Sequence, residues 1–91
     1  MSKISIRRQH QKSDVEVREI AEQLTVDLDS QYGLKSSWDG DSVNFERTGL
    51  KGVLQLNPGE VAIDMKLGMM MSGFSNNIEK ALNKALDKKL S

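Results

Sequence analysis

The 91-residue sequence contains no cysteine, which excludes a disulfide scaffold and a metal site built on thiolates. No apolar run approaches the roughly 20 residues that a membrane-spanning helix requires. The first eight residues lack the apolar segment of a signal peptide. Aromatic residues are few and too scattered to form a stacking surface for nucleic acid: Tyr32, Trp38, Phe45 and Phe74. We therefore expect a soluble, cytoplasmic protein.

Neither sign of charge is in excess, because 13 basic residues balance 13 acidic ones. Non-specific binding to nucleic acid gains most of its affinity from neutralised phosphates, so zero net charge argues against that function. It also removes repulsion between copies and so permits a homodimer. With 37% hydrophobic residues the chain is too apolar for disorder, and its length predicts a single domain over residues 1–91.

Residues that could carry catalysis are also few. His10 is the single histidine. A general base needs an orienting partner and a substrate nearby, and neither occurs at a recognisable spacing. We interpret His10 as a solvated residue that follows a strand. The Asp39-Gly40-Asp41 segment lacks the further oxygen ligands of a calcium loop and is interpreted as a β-turn. The sequence thus predicts no catalytic residue, no metal ligand and no cofactor.

Hydrophobic periodicity predicts seven elements in the order β-α-β-β-β-β-α. Ser13 and Glu16 form a capping-box pattern ahead of an apolar helical stripe. A helix is therefore predicted from Asp14 to Tyr32, with Gly33 as its stop. A second helix is predicted from residue 71 or 72 to residue 90. Strands are predicted at residues 3–9, 34–38, 42–47, 52–56 and 60–67.

Short turns join the last four strands, which predicts an antiparallel meander. We expect an α+β fold in which two helices cover one face of an antiparallel sheet and the first strand lies beside the meander. A curved sheet that grips the C-terminal helix, like a reduced helix-grip domain, is the preferred arrangement. A flatter two-layer sandwich is the alternative. The strand from Glu60 onward, with the segment that follows it, organises the rest of the chain.

Met69, Met70 and Met71 follow this strand and are the least ordinary feature of the sequence. Methionine adapts to irregular apolar surfaces, and three in succession cannot all point into one small core. The run, with Phe74 after it, is either a loosely packed corner of the core or an apolar contact surface for a partner chain, a lipid or a polymer. Trp38 also has two interpretations, an anchor of the core or a ring at an open rim.

Five short motifs occur in a fixed order along the chain. They are Lys3-Ile4-Ser5-Ile6-Arg7-Arg8-Gln9-His10, Tyr32-Gly33-Leu34, Trp38-Asp39-Gly40-Asp41, Phe45-Glu46-Arg47-Thr48-Gly49 with Gly52, and Leu67-Gly68 before the last helix. In this order and spacing the whole chain resembles the polyhydroxyalkanoic acid system family, the small granule-region proteins of bacteria. The chain departs from the family pattern in two places. Gln11-Lys12-Ser13 is polar where a small apolar residue or glycine is expected after the histidine, and the methionine run replaces aliphatic residues.

The resemblance implies a role in polyhydroxyalkanoate storage, in association with the storage granule or in its regulation, and it supplies no catalytic residues. We predict a non-enzymatic accessory protein that contacts the granule surface or a granule-associated protein through apolar residues: Met69, Met70, Met71 and Phe74, helped by Trp38. The alternative is a small carrier of an acyl or other apolar ligand, with a pocket between the sheet and the C-terminal helix. An enzyme would need His10 beside an acid at the mouth of such a pocket.

Overall fold

The structure is a computed structural model that describes residues 2–90. Its elements follow the predicted order: β1 (Ser2–Gln9), α1 (Asp14–Tyr32), β2 (Lys35–Asp39), β3 (Ser42–Arg47), β4 (Leu50–Asn57), β5 (Glu60–Leu67) and α2 (Ser75–Leu90). A single 3₁₀ turn, Ser72–Phe74, precedes α2. Neither helix within residues 2–90 is long and apolar enough to cross a bilayer. The α+β fold is as predicted.

All five strands pair antiparallel in one sheet, in the order β1-β5-β4-β3-β2. The predicted position of the first strand beside the meander is therefore confirmed. β5 pairs along its whole length with β1 on one side and β4 on the other. The strand that was expected to organise the chain is thus a central one, with two fully paired neighbours.

Alternation along the strands gives the sheet one apolar face and one polar face. Both helices lie on the apolar face, α2 against β1 and α1 against β2 and β4. Strand and helix side chains there form one solvent-excluded core, which includes Ile4, Ile6, Val17, Leu24, Leu28, Val43, Phe45, Leu54, Ile63, Met65, Ile78, Leu82 and Leu86. The opposite face of the sheet carries exposed polar side chains.

α1 has the predicted bounds because both of its ends carry strong local signals. The Ser13 hydroxyl accepts a hydrogen bond from the Glu16 N–H at 3.2 Å, and the Glu16 carboxylate accepts one from the Ser13 N–H at 3.3 Å. These bonds satisfy N–H groups that lack partners at a helix start. At the other end Gly33 has a φ of 69° and donates its N–H to the Asp29 carbonyl at 2.9 Å.

Six strand or helix ends differ from the predicted ones. β1 begins at Ser2, β2 ends at Asp39 and β4 ends at Asn57, each one residue beyond the predicted end. β2 begins at Lys35, because the Leu34 N–H donates to the Leu28 carbonyl at 3.4 Å and so belongs to the end of α1. β4 begins two residues earlier than expected, and Gly52 lies inside the strand rather than at its start. A Cβ at Gly52 would lie 2.6 Å from Cγ of Met65, so this glycine makes room for a core methionine. α2 begins only at Ser75, after the 3₁₀ turn.

Candidate functional site

The connection between β5 and α2, residues 68–74, is a compact apolar turn that we call the methionine junction. The Gly68 N–H donates to the Gly49 carbonyl at 2.8 Å, which ties the junction to the β3–β4 turn. The Met71 N–H then donates to the Gly68 carbonyl at 3.1 Å. Because these bonds fix its backbone at two points, the junction presents its side chains in a defined arrangement.

The three methionines divide between core and solvent. Met71 is only 4% exposed and belongs to the core. Met69 and Met70 are 86% and 78% exposed, and Phe74 on the following 3₁₀ turn is 45% exposed. Met71 therefore anchors the junction and is not accessible to a partner. Met69, Met70 and Phe74 present apolar side chains to solvent.

The β3–β4 turn supports this arrangement through Gly49, a residue that the sequence did not connect with the methionines. Gly49 has a φ of 85°, a conformation that favours glycine. A Cβ at Gly49 would also lie 3.1 Å from Cγ of Met71 and 3.7 Å from Cβ of Met70. The backbone of the turn thus packs against the methionine side chains of the junction. Because Gly49 and the methionines are far apart in the sequence, no local pattern predicts this contact.

Exposed apolar side chains concentrate at the junction. Five large hydrophobic residues are exposed within residues 2–90, and three of them belong to the junction: Met69, Met70 and Phe74. The other two, Val15 and Val26, lie on α1. Single exposed apolar residues are common on monomeric proteins, whereas large contiguous apolar patches are rare. Residues 67–74 contain no ionisable side chain, so this surface offers contact rather than acid–base chemistry.

Trp38 lies elsewhere in the fold. It is on edge strand β2, three strands away from β5, and packs partly against the core. The Arg18 guanidinium lies over its ring, 4.3 Å from the ring centroid, as in a cation–π contact. Arg18 also donates to the Gly40 carbonyl at 3.4 Å and lies 3.7 Å from the Asp41 carboxylate. Trp38 thus helps to join α1 to the β2–β3 turn, and the structure does not place it with the methionines.

The His10 side chain is partly buried, whereas the sequence predicted a solvated residue. Its Nδ1 accepts a hydrogen bond from the Lys12 N–H at 3.1 Å, and its own backbone N–H donates to the Gly59 carbonyl at 3.0 Å. Nε2 is buried and has no hydrogen-bond partner among residues 2–90. His10 therefore holds the β1–α1 connection against the β4–β5 turn.

The space between the sheet and α2 is filled by protein side chains. Ile78, Leu82 and Leu86 are at most 1% exposed and pack directly into the core. The pocket expected there for an apolar ligand is therefore occupied. A concavity of about 580 Å³ instead lies between α1 and α2 and opens to solvent. We call it the helix groove, and its apolar floor consists of Leu24, Leu28, Ala81, Leu82 and Ala85.

The ionisable side chains of the described residues form no metal-binding cluster. No group of three or more His, Asp or Glu side chains within residues 2–90 could hold a metal ion. The pKa of Asp64 is lowered, first because the Ser5 hydroxyl donates to it at 2.9 Å and further by Arg7 at 3.2 Å. This carboxylate lies on the polar face of the sheet, which separates it from the methionine junction.

Comparison with known protein families matches residues 4–90 to a family described as "putative polyhydroxyalkanoic acid system protein". The match spans nearly the whole chain, including both helices and the methionine junction. No curated protein and no solved structure shows a match.

Proposed function

The chain belongs to the polyhydroxyalkanoic acid system family, and from this membership we propose that it is a non-enzymatic accessory protein of bacterial polyhydroxyalkanoate storage. It works in the cytoplasm in association with the storage granule, bound to the polymer surface or to a granule-associated protein. Its contact surface is the exposed part of the methionine junction, Met69, Met70 and Phe74. The observation that carries the proposal is the exposure of two neighbouring methionines beside a third that is buried.

The chemistry of the junction suits an apolar polyester surface. A polyhydroxyalkanoate offers alkyl side chains and ester carbonyls, with few hydrogen-bond donors. Flexible thioether side chains adapt to such an irregular apolar surface. Because residues 67–74 hold no ionisable group, binding would not require a charge to leave water. Covering the exposed side chains would contribute roughly 5 kcal/mol before the cost of association.

The anchoring of the junction supports the same proposal. Met71 in the core and the Gly68–Gly49 hydrogen bond hold the backbone in place before any partner arrives. A surface that is ordered in advance loses less conformational entropy on binding than a flexible loop does. The alternative, a carrier of an acyl ligand, has less support, because core side chains fill the space between the sheet and α2.

Co-sedimentation with isolated polyhydroxyalkanoate granules tests the proposal. We would compare the wild type with a Met69→Asp/Met70→Asp double variant and with Phe74→Asp. Val15→Asp is the control, because Val15 is 68% exposed on α1 and the substitution removes an exposed apolar side chain outside the junction. Circular dichroism would establish that each variant folds. We expect the double variant to lose at least about tenfold in binding, Phe74→Asp less, and Val15→Asp nothing.

Granules stripped of their proteins separate the two forms of association. Binding to stripped granules would assign the contact to the polymer, and binding to native granules alone would assign it to a granule protein. If the folded junction variants bound as well as the wild type, or if Val15→Asp lost as much binding, the junction would not be the contact surface. A wild type that sedimented with neither preparation would overturn the granule role.

A further inference from the structure

The helix groove points to a second contact surface, and we propose that it is the interface between two copies of this chain. In this dimer, α1 of one copy packs on α2 of the other across a two-fold axis that runs along the groove. The inference goes beyond the granule role and does not depend on it. Three features support such a dimer: the apolar floor of the groove, the opposite charges of its two walls and the size of the helical surface.

The floor of the groove leaves apolar surface only partly covered. α1 and α2 contact each other sparsely, and between them Ala81 and Ala85 remain half-buried above Leu24 and Leu28. Val26, at the outer margin of α1, is 66% exposed. Small side chains on one helix and a projecting valine near the other allow a second helical layer to approach closely. Such packing of ridges into grooves is how helices normally bury their faces.

The two walls of the groove carry opposite charges. Asp27 lies on the α1 wall, whereas Lys84 and Lys88 lie on the α2 wall. Asp27 and Lys84 line the same groove, yet neither side chain forms an ion pair within residues 2–90. Lys89, in contrast, already donates to the Gln23 side chain of α1. Asp27 on one wall and Lys84 on the other are therefore the charges that a complementary surface could neutralise.

A second copy supplies that complementary surface by symmetry. Rotation by half a turn about an axis along the groove places α1 of one copy over α2 of its partner. Asp27 then faces the partner's Lys84, and Lys84 faces the partner's Asp27, so one contact is made twice. Self-complementary contacts of this kind define a two-fold interface. The zero net charge of the chain adds no repulsion between the copies.

The size of the helical surface sets the expected strength. The 16 residues of α2 extend over about 24 Å, and packed helices lie roughly 10 Å apart. Two adjacent helices thus offer roughly 500 Å² per copy, or about 1,000 Å² in total, which is the lower end for specific interfaces. We therefore expect a dimer with a dissociation constant in the micromolar range.

Sedimentation velocity over protein concentrations from about 5 to 500 µM tests the interface by charge exchange. Asp27→Lys alone and Lys84→Asp alone place like charges opposite each other and should each weaken dimerisation at least about tenfold. When the two variants are mixed, both pairs become opposite again, so the mixture should form a heterodimer. Glu46→Lys and Lys66→Asp are the controls, since they make the same charge changes at exposed positions on β3 and β5.

Each outcome decides the matter. Dimers formed by the wild type, by both controls and by the mixture, but not by either single variant, would support the interface. A wild type that remained monomeric at the highest concentration would overturn it. So would single variants that dimerised normally, or a mixture of folded variants that stayed monomeric. If the wild type were monomeric and the groove variants instead lost granule binding, the groove would belong to the granule contact and not to a dimer.

Discussion

The chain passes from a strand into a helix twice, and the two connections are built in opposite ways. Residues 10–13, between β1 and α1, are polar and end in the capping box of Ser13 and Glu16. The methionine junction, between β5 and α2, contains no such cap, because Met71, the residue before the 3₁₀ turn, makes no side-chain capping hydrogen bond. It holds its backbone through Gly49 and leaves two methionines exposed.

The two connections differ in how many of their side chains contribute to the stability of the fold. The first connection satisfies the N–H groups at the start of α1 and keeps polar side chains in water, which is sufficient for a stable helix start. In the second connection Met71 serves the core, but Met69 and Met70 contribute little to it. Folding gains nothing from apolar side chains left in solvent. Met69 and Met70 are therefore the residues of the second connection through which we propose contact with a partner.

The largest effect should come from the buried member of the run. We predict that Met71→Ala lowers the free energy of unfolding by about 3 kcal/mol, because it removes core contacts and leaves a cavity. Met69→Ala, at an exposed position, should change it by less than about 0.5 kcal/mol. Urea denaturation of both variants measures the contrast. Equal losses would show that the junction packs as a unit and would remove the distinction between anchor and surface.

The next effect should come from the turn that supports the junction. Gly49→Ala is expected to cost about 2 kcal/mol, since alanine disfavours a φ of 85° and its Cβ would crowd Met71 at 3.1 Å. Gly73→Ala is the control, because a Cβ there meets no atom within 4 Å and the backbone has no positive φ. Thermal unfolding would compare the two variants. A Gly49→Ala protein as stable as the wild type would mean that the junction does not depend on this turn.

A smaller effect is expected at the first connection. Ser13→Ala should lower the free energy of unfolding by about 1 kcal/mol, because the hydroxyl that caps α1 is lost. Ser13→Asp, which can cap the helix in the same way, should be nearly neutral. Neither variant should change granule co-sedimentation at temperatures where it is folded. Lost binding in folded Ser13→Ala would show that the two connections are not independent.

The sequence predicted the fold where local signals decide the structure. α1 begins and ends at the predicted residues because its capping box and Gly33 act within a few positions of each helix end. The start of α2 was predicted too early for a related reason. Phe74 and Ile78 have helical spacing, but no capping residue marks the start of the helix, and Ser72–Phe74 form a 3₁₀ turn instead.

The candidate site could be predicted only in part. The run of methionines indicated that some of them must be exposed, but the strand alternation that assigns faces stops at Gly68. Which methionine enters the core is decided by contact with Gly49, a residue from another part of the chain. The position of Trp38 was likewise fixed by Arg18, through a contact between α1 and β2. Side-chain pairs of this kind depend on the tertiary fold.

The smallest predicted effect concerns pH and again separates the two connections. The pKa of Glu16 is held below its usual 4.5, first because the Ser13 N–H donates to its carboxylate and also because the Ser13 hydroxyl does. The folded state therefore favours the ionised form more than the unfolded state does. The resulting stability is present above pH 4.5 and is lost as the pH falls through the lowered pKa.

Urea midpoints of the wild type and of Glu16→Gln, measured from about pH 6 to pH 3, would test this, and the difference between them should shrink below pH 4.5. Asp64→Asn must be measured in parallel, since the lowered pKa of Asp64 acts in the same direction. A constant difference would exclude the capping carboxylate as its source. The methionine junction has no ionisable group, so granule binding by folded protein should not follow this titration. Binding that weakened over the same range would mean that a charged group takes part in the contact, and binding by Glu16→Gln and Asp64→Asn would show whether it is either of these carboxylates.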